Sequence, residues 1–125
     1  MAGTLVANTI NTDTGLFSTN NAYSGIAKAW VNYNPTTQTI NNSFNVSSVT
    51  RNSTGNFTVN FSTAMPNANY AVSGMGGVST GGSGNSTNEF LTTYSLTTTA
   101  FQFGTLNTSA VNVDNTLVTA IVFSS

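Results

Sequence analysis

From Ala27 to Val72 the apolar residues recur at every second position: Ala27, Ala29, Val31 and Tyr33; then Phe44 and Val46; then Phe57, Val59 and Phe61; then Tyr70 and Val72. Side chains alternate faces along an extended strand, so this period sets one apolar row of each segment against a core and leaves Asn, Ser and Thr outside. Four strands are predicted. Val49 breaks the parity of Phe44 and Val46, which predicts a bulge near Ser47-Ser48. Arg51-Asn52-Ser53-Thr54-Gly55-Asn56 is a cluster of turn formers and predicts a hairpin between the second and third strands. Pro66, within Ala64 to Asn69, cannot donate to a ladder and predicts a turn before the fourth.

Alternation returns at Phe90 to Leu96 and at Ala100 to Phe103, which predict two further strands joined by Thr97-Thr98-Thr99. Leu117 to Phe123 is apolar at nearly every position. Such a run suits a central strand buried on both faces, one of them against a second subunit. Asn34 to Asn42 reads as a polar connection, and so does Leu106 to Asn115, with Val111 and Val113 as a short strand within it. The tally of about seven or eight short strands, with no helix-period segment, predicts an all-β chain. The expected architecture is an antiparallel β-sandwich, jelly-roll-like, over residues 26–125.

Two stretches stay open. Residues 1–25 are sparse in large apolar side chains and read either as an extended N-terminal arm that orders on a partner or as an ordinary first strand. Residues 74–88 form a glycine- and serine-rich exposed loop, with Gly76, Gly77, Gly81, Gly82 and Asn85. It is either a ligand- or partner-facing tip or a flexible insertion. A phosphate-binding loop would need a helix after it and a Lys-Ser/Thr at its end, and neither follows.

Composition alters the picture in one respect. Charged residues are 4% of the 125, against about 25% in typical soluble domains, and Asn, Ser and Thr make up nearly half of the chain. With 38% hydrophobic residues in phase with strand geometry, the chain reads as folded, not as low-complexity disorder. A net charge of -1 gives almost no repulsion between copies, and Lys28 and Arg51 are the only cations available to protect sheet edges. The sequence therefore predicts a homo-oligomer. Two cations cannot supply the contacts that dominate nucleic-acid affinity, so no nucleic-acid partner is expected. No run approaches the ~20 apolar residues of a membrane span, and the N-terminus lacks the pattern of a signal peptide, so no membrane insertion and synthesis in a cytoplasm are expected.

Candidate chemistry is thin. Histidine and cysteine are absent, which removes the commonest general base, the thiolate nucleophile and most zinc sites. Asp13, Glu89 and Asp114 are the carboxylates. Glu89 and Asp114 could meet only as a glycosidase-type pair, and Asp13-Thr14-Gly15 lacks both the second triplet and the apolar strand context of an aspartic protease. No catalytic residue, metal or cofactor is expected. Trp30, Tyr33 and Tyr94, set among asparagines, are what a sugar-binding surface or a subunit interface would use. Trp30 has opposite parity to Ala29 and Val31 and so points away from the face carrying Tyr33, either into an interface or to solvent.

The strand AKAWVNYN, followed by SFNVSSVTRNSTGNFTVNF and a turn of the type AMPNANYAV, resembles a module of tailed-bacteriophage virion surface proteins, found in tail-fibre-type and small decoration-type structural proteins. The likeness covers Ala27 to about Val72 and, loosely, Leu117 to Phe123, and it contains no catalytic signature. It implies a non-enzymatic structural protein on the virion surface, in contact with other virion proteins and acting in assembly, stabilisation or host adhesion. It also implies a homotrimer as the first choice of oligomer. The alternative is a carbohydrate-binding module that recognises a host surface glycan.

Overall fold

The structure is a computed structural model that describes Gly3 and residues 9–12, 15–18, 25–77, 90–107 and 109–125. Among the described residues there are ten strands, all paired antiparallel. β1 (Thr9–Thr12) and β2 (Gly15–Ser18) pair with each other, Ile10 opposite Phe17, and join neither of the larger sheets. One four-stranded sheet has the order β4-β3-β10-β7, from Thr39–Phe44, Ala29–Asn34, Leu117–Phe123 and Ala71–Gly77. The other has the order β5-β6-β9-β8, from Val46–Ser53, Asn56–Phe61, Ala100–Leu106 and Phe90–Tyr94.

The core between the sheets is the inward row of each central strand: Ala29, Val31 and Tyr33 with Val118, Ala120 and Val122 from one sheet, facing Phe57, Val59, Phe61, Phe101 and Phe103 from the other. Tyr33 meets Phe57 edge-on across the sandwich at 5.6 Å, and Phe57 stacks on Phe103 at 5.1 Å. Aromatic pairs in these geometries add to the gain from burial alone. The alternation along β3, β6 and β9 therefore does what its period implies, and the all-β, two-sheet architecture follows from it. The jelly-roll-like variant does not. A jelly roll changes sheet at nearly every connection, whereas β3-β4, β5-β6 and β8-β9 are each paired neighbours within one sheet.

Two boundaries differ from the sequence expectation. Of the supposed polar connection Asn34 to Asn42, only the part before Thr39 is a turn, and the rest is edge strand β4. Its backbone pairs with β3 while Ile40 turns inward beside Tyr33, so one apolar residue among Thr and Asn suffices at an edge. Likewise Gly74, Gly76 and Gly77 are not loop: β7 runs to Gly77, held by the register Leu117↔Gly77 with β10. At Gly74 a Cβ would collide with the Leu91 side chain and the Thr119 carbonyl, so the glycine allows β7 and β8 to approach across the sandwich. Gly81, Gly82 and Asn85 lie outside the described residues, as do Asp13 and Glu89.

Phe44 and Val46, assigned above to one strand, belong to different sheets. Asn45 alone makes the corner between them, with a left-handed φ of 54°, which asparagine tolerates better than most residues. Its side chain fixes the corner. Nδ2 donates to the carbonyls of Lys28 (3.0 Å) and Thr63 (3.1 Å), and Oδ1 accepts from the Thr63 N–H at 2.7 Å. The predicted bulge follows at once, as a register shift between Val46 and Ser48.

Candidate functional site

The two outer faces of the sandwich differ in character. On β5-β6-β9-β8 the outward row is Thr50, Thr58, Gln102 and Tyr94, directly opposite one another across the four strands. Around it the amides bond their own neighbours: Asn52 Nδ2 donates to Asn56 Oδ1 and Thr58 Oγ1, both at 2.9 Å, and Asn60 Nδ2 donates to Ser48 Oγ at 3.0 Å. The row is polar, and the amides of Asn52 and Asn60 beside it are engaged within the chain.

On β4-β3-β10-β7 the register aligns Phe44 with Trp30 and Trp30 with Ile121, so three large apolar residues form one outward row. Phe123 is the next outward residue on β10, and Met75, opposite Thr119, lies one diagonal step from Ile121. Phe44 is 54% exposed, Ile121 41% and Met75 75%. The following outward row is polar, Asn42, Asn32 and Thr119, with the Asn41 amide donating to Asn32 Oδ1 at 2.9 Å. No outward position of these four strands carries a charge. Exposed apolar groups that are contiguous on one face, as opposed to scattered singly, mark an interaction surface.

The three aromatic residues singled out from the sequence go to three separate places. Trp30 is half-buried on the apolar outer face, on the side its parity predicts. Tyr33 is 0% exposed in the core and is no surface contact. Burial pushes its phenol pKa up, the Asp114 charge raises it further, and Arg51 opposes them. Tyr94 stands on the opposite, polar face at 38% exposure, its ring beside Gly104. Trp30, Tyr33 and Tyr94 thus form no common platform. Sequence reasoning missed Phe44, Ile121, Phe123 and Met75 as companions of Trp30. The signal was present in the equal, opposite parity of Trp30 within β3 and Ile121 within β10, but joining them required the strand register.

At one end of the sandwich, Asp114 Oδ2 accepts from Arg51 Nε (3.0 Å) and Arg51 NH2 (2.7 Å), while Oδ1 accepts from the Gly55 N–H at 2.8 Å. Both carboxylate oxygens hold backbone and side chain in place, a structural use. Among the described residues no group of three or more potential metal ligands comes together, and no helix is long and apolar enough to cross a membrane. Compared with protein-family models, curated proteins and solved structures, the chain has no match in any of the three.

Proposed function

We propose that this chain is a non-enzymatic structural protein of the tailed-phage virion surface, a fibre or decoration protein that works as a homo-oligomeric β-structure in assembly, stabilisation or host adhesion. The observation that carries the reading is the presence of a contiguous apolar, uncharged outer sheet face in a chain of 4% charged residues. An independent monomer gains nothing from such a face, whereas a particle component held among copies and neighbouring proteins covers it. The resemblance of Ala27 to Val72 to virion surface modules supplies the location, and a trimer remains the first choice of assembly. The non-enzymatic part rests on the missing histidine and cysteine and on the engagement of Asp114 by Arg51 and Gly55. Mass spectrometry and imaging of purified particles test the reading. The chain is expected in many copies per particle on the outer surface, and its absence from particles in infected cells that express it would refute the assignment.

A second reading, recognition of a host surface glycan, is favoured by Tyr94, an exposed ring on a face of amides and hydroxyls and directly opposite Gln102. Tyr94→Ala is then expected to abolish binding to host cells while assembly and stability stay as in the parent protein. Unchanged cell binding would remove this reading.

A further inference from the structure

We propose that the apolar end of the outer face of β4-β3-β10-β7 is the surface through which copies of this chain join, every copy turning this face toward the centre of the assembly. The inference rests on the homo-oligomeric reading above and adds the surface that performs it. Its centre is the aligned row Phe44, Trp30 and Ile121, extended by Phe123 along β10 and by Met75 on β7. The occupant follows from charge. With no charged residue at any outward position of the four strands, and Lys28 at the margin just before β3 as the one neighbouring charge in register, the face offers too little counter-charge for a nucleic acid, an anionic headgroup or a charged peptide. Burying a charge against it without a partner would be strongly unfavourable. The same face of a second copy is equally uncharged and leaves no ion stranded. The polar row of Asn32, Asn42 and Thr119 beside it has the donors and acceptors of an interface rim. The opposite outer face is centred on the polar row Thr50, Thr58, Gln102 and Tyr94, with the amides of Asn52 and Asn60 engaged internally.

One competitor lies within the chain. Residue 25 enters the domain beside this patch, Ile26 being 60% exposed and Lys28 N–H donating to the Val122 carbonyl at 2.8 Å, so the segment before it could lie on its own domain. Concentration dependence separates the two, because contact between copies dilutes away and cover by the same chain does not.

The test uses the full-length chain and its single tryptophan, Trp30, followed by emission and by sedimentation over a dilution series from micromolar concentrations. Expected is an assembly with blue-shifted emission that moves red on dilution as copies separate. Ile121→Glu and Met75→Glu should each weaken assembly by at least about a hundredfold, and Thr58→Glu on the polar face should leave it unchanged. Met75, the most exposed of the group, can be changed without disturbing the core, so loss of assembly there cannot be ascribed to misfolding. Assembly that survives both glutamates would overturn this inference and leave the homo-oligomeric reading standing. A monomer with blue emission at every dilution would assign the face to the chain's own first residues and would also overturn it. A monomer with red emission throughout would refute both.

Discussion

Arg51 and Asp114, 63 residues apart in the chain, meet at 2.7 Å and tie the β5-β6 hairpin to the connection that leads into the last strand. The pair is one corner of a larger clasp. Asp114 also accepts from Gly55 N–H, the Gly55 carbonyl accepts from Thr105 N–H at 2.9 Å, and the Thr105 carbonyl accepts from Val113 N–H at 3.1 Å. Gly55 sits at φ 65°, and a Cβ there would lie 2.7 Å from both the Thr105 oxygen and the Val113 nitrogen. The sequence thus needs glycine in the turn and an acceptor at 114. Asp114→Ala strands the Gly55 donor and the guanidinium together, and we expect a loss of about 2 kcal/mol, with Asp114→Asn costing about half as much because its Oδ1 still accepts. Urea denaturation at constant m-value is the measurement. Equal stability of the alanine variant and the parent would show that the clasp contributes nothing.

Asn45 gives a second prediction. Its corner combines a left-handed backbone with three side-chain hydrogen bonds, and two substitutions separate those contributions. Asn45→Gly keeps the conformation and loses the bonds, at about 1 kcal/mol, whereas Asn45→Ala loses both, at about 2 kcal/mol. If alanine proved as stable as glycine, the left-handed φ would not be what selects asparagine.

The contrast between strands shows what a linear pattern can carry. β3, β6 and β9 were legible because a central strand buries every second side chain, and Ala29-Val31-Tyr33, Phe57-Val59-Phe61 and Phe101-Phe103 state that period outright. The edge strands were not. β4 carries Thr, Asn and Ser at most positions because an edge needs only backbone pairing on one side, and β7 carries glycine at position 74 because Leu91 of β8 approaches it closely there, while Gly76 and Gly77 dilute its apolar pattern further. The apolar outer face was half legible. Parity set Trp30 apart from the core residues of β3, but only the registers Trp30↔Phe44 and Trp30↔Ile121 make it part of a surface. The split of Phe44 from Val46 was hidden because a single residue, Asn45, does the work usually assigned to a loop.

The buried tyrosines make a third prediction, in which the same substitution has opposite outcomes. Tyr70 Oη lies 2.9 Å from the Thr97 carbonyl and 2.8 Å from the Ala100 carbonyl, sharing one proton between them across the β8-β9 turn. Tyr33 Oη is buried with no hydrogen-bond partner among the described residues. Removing a bonded hydroxyl costs about 1 kcal/mol, while removing an unsatisfied one is neutral or stabilising. Tyr70→Phe should therefore lower the denaturation midpoint and Tyr33→Phe should hold or raise it. Equal losses at both sites would mean that the Tyr33 hydroxyl has a partner of its own.

Alkaline pH should expose the same two residues. Burial raises the phenol pKa of both Tyr33 and Tyr70 above the ordinary value of 10.0, the Asp114 charge adding to the effect at Tyr33 and the Thr97 bond opposing it at Tyr70. In the unfolded chain both ionise near their ordinary value, while the folded chain still holds their protons. Above that value the unfolded state binds fewer protons, so unfolding becomes easier as pH rises. The stability that these groups contribute is thus complete below the ordinary tyrosine pKa and is lost as pH climbs through the raised folded values. Denaturation midpoints should be flat from about pH 7 to about pH 9 and fall steeply above about pH 10. In the double variant Tyr33→Phe, Tyr70→Phe that fall should be markedly shallower, Tyr70→Phe lowering only the plateau. An equally steep decline in the double variant would assign alkaline unfolding to groups other than these two phenols.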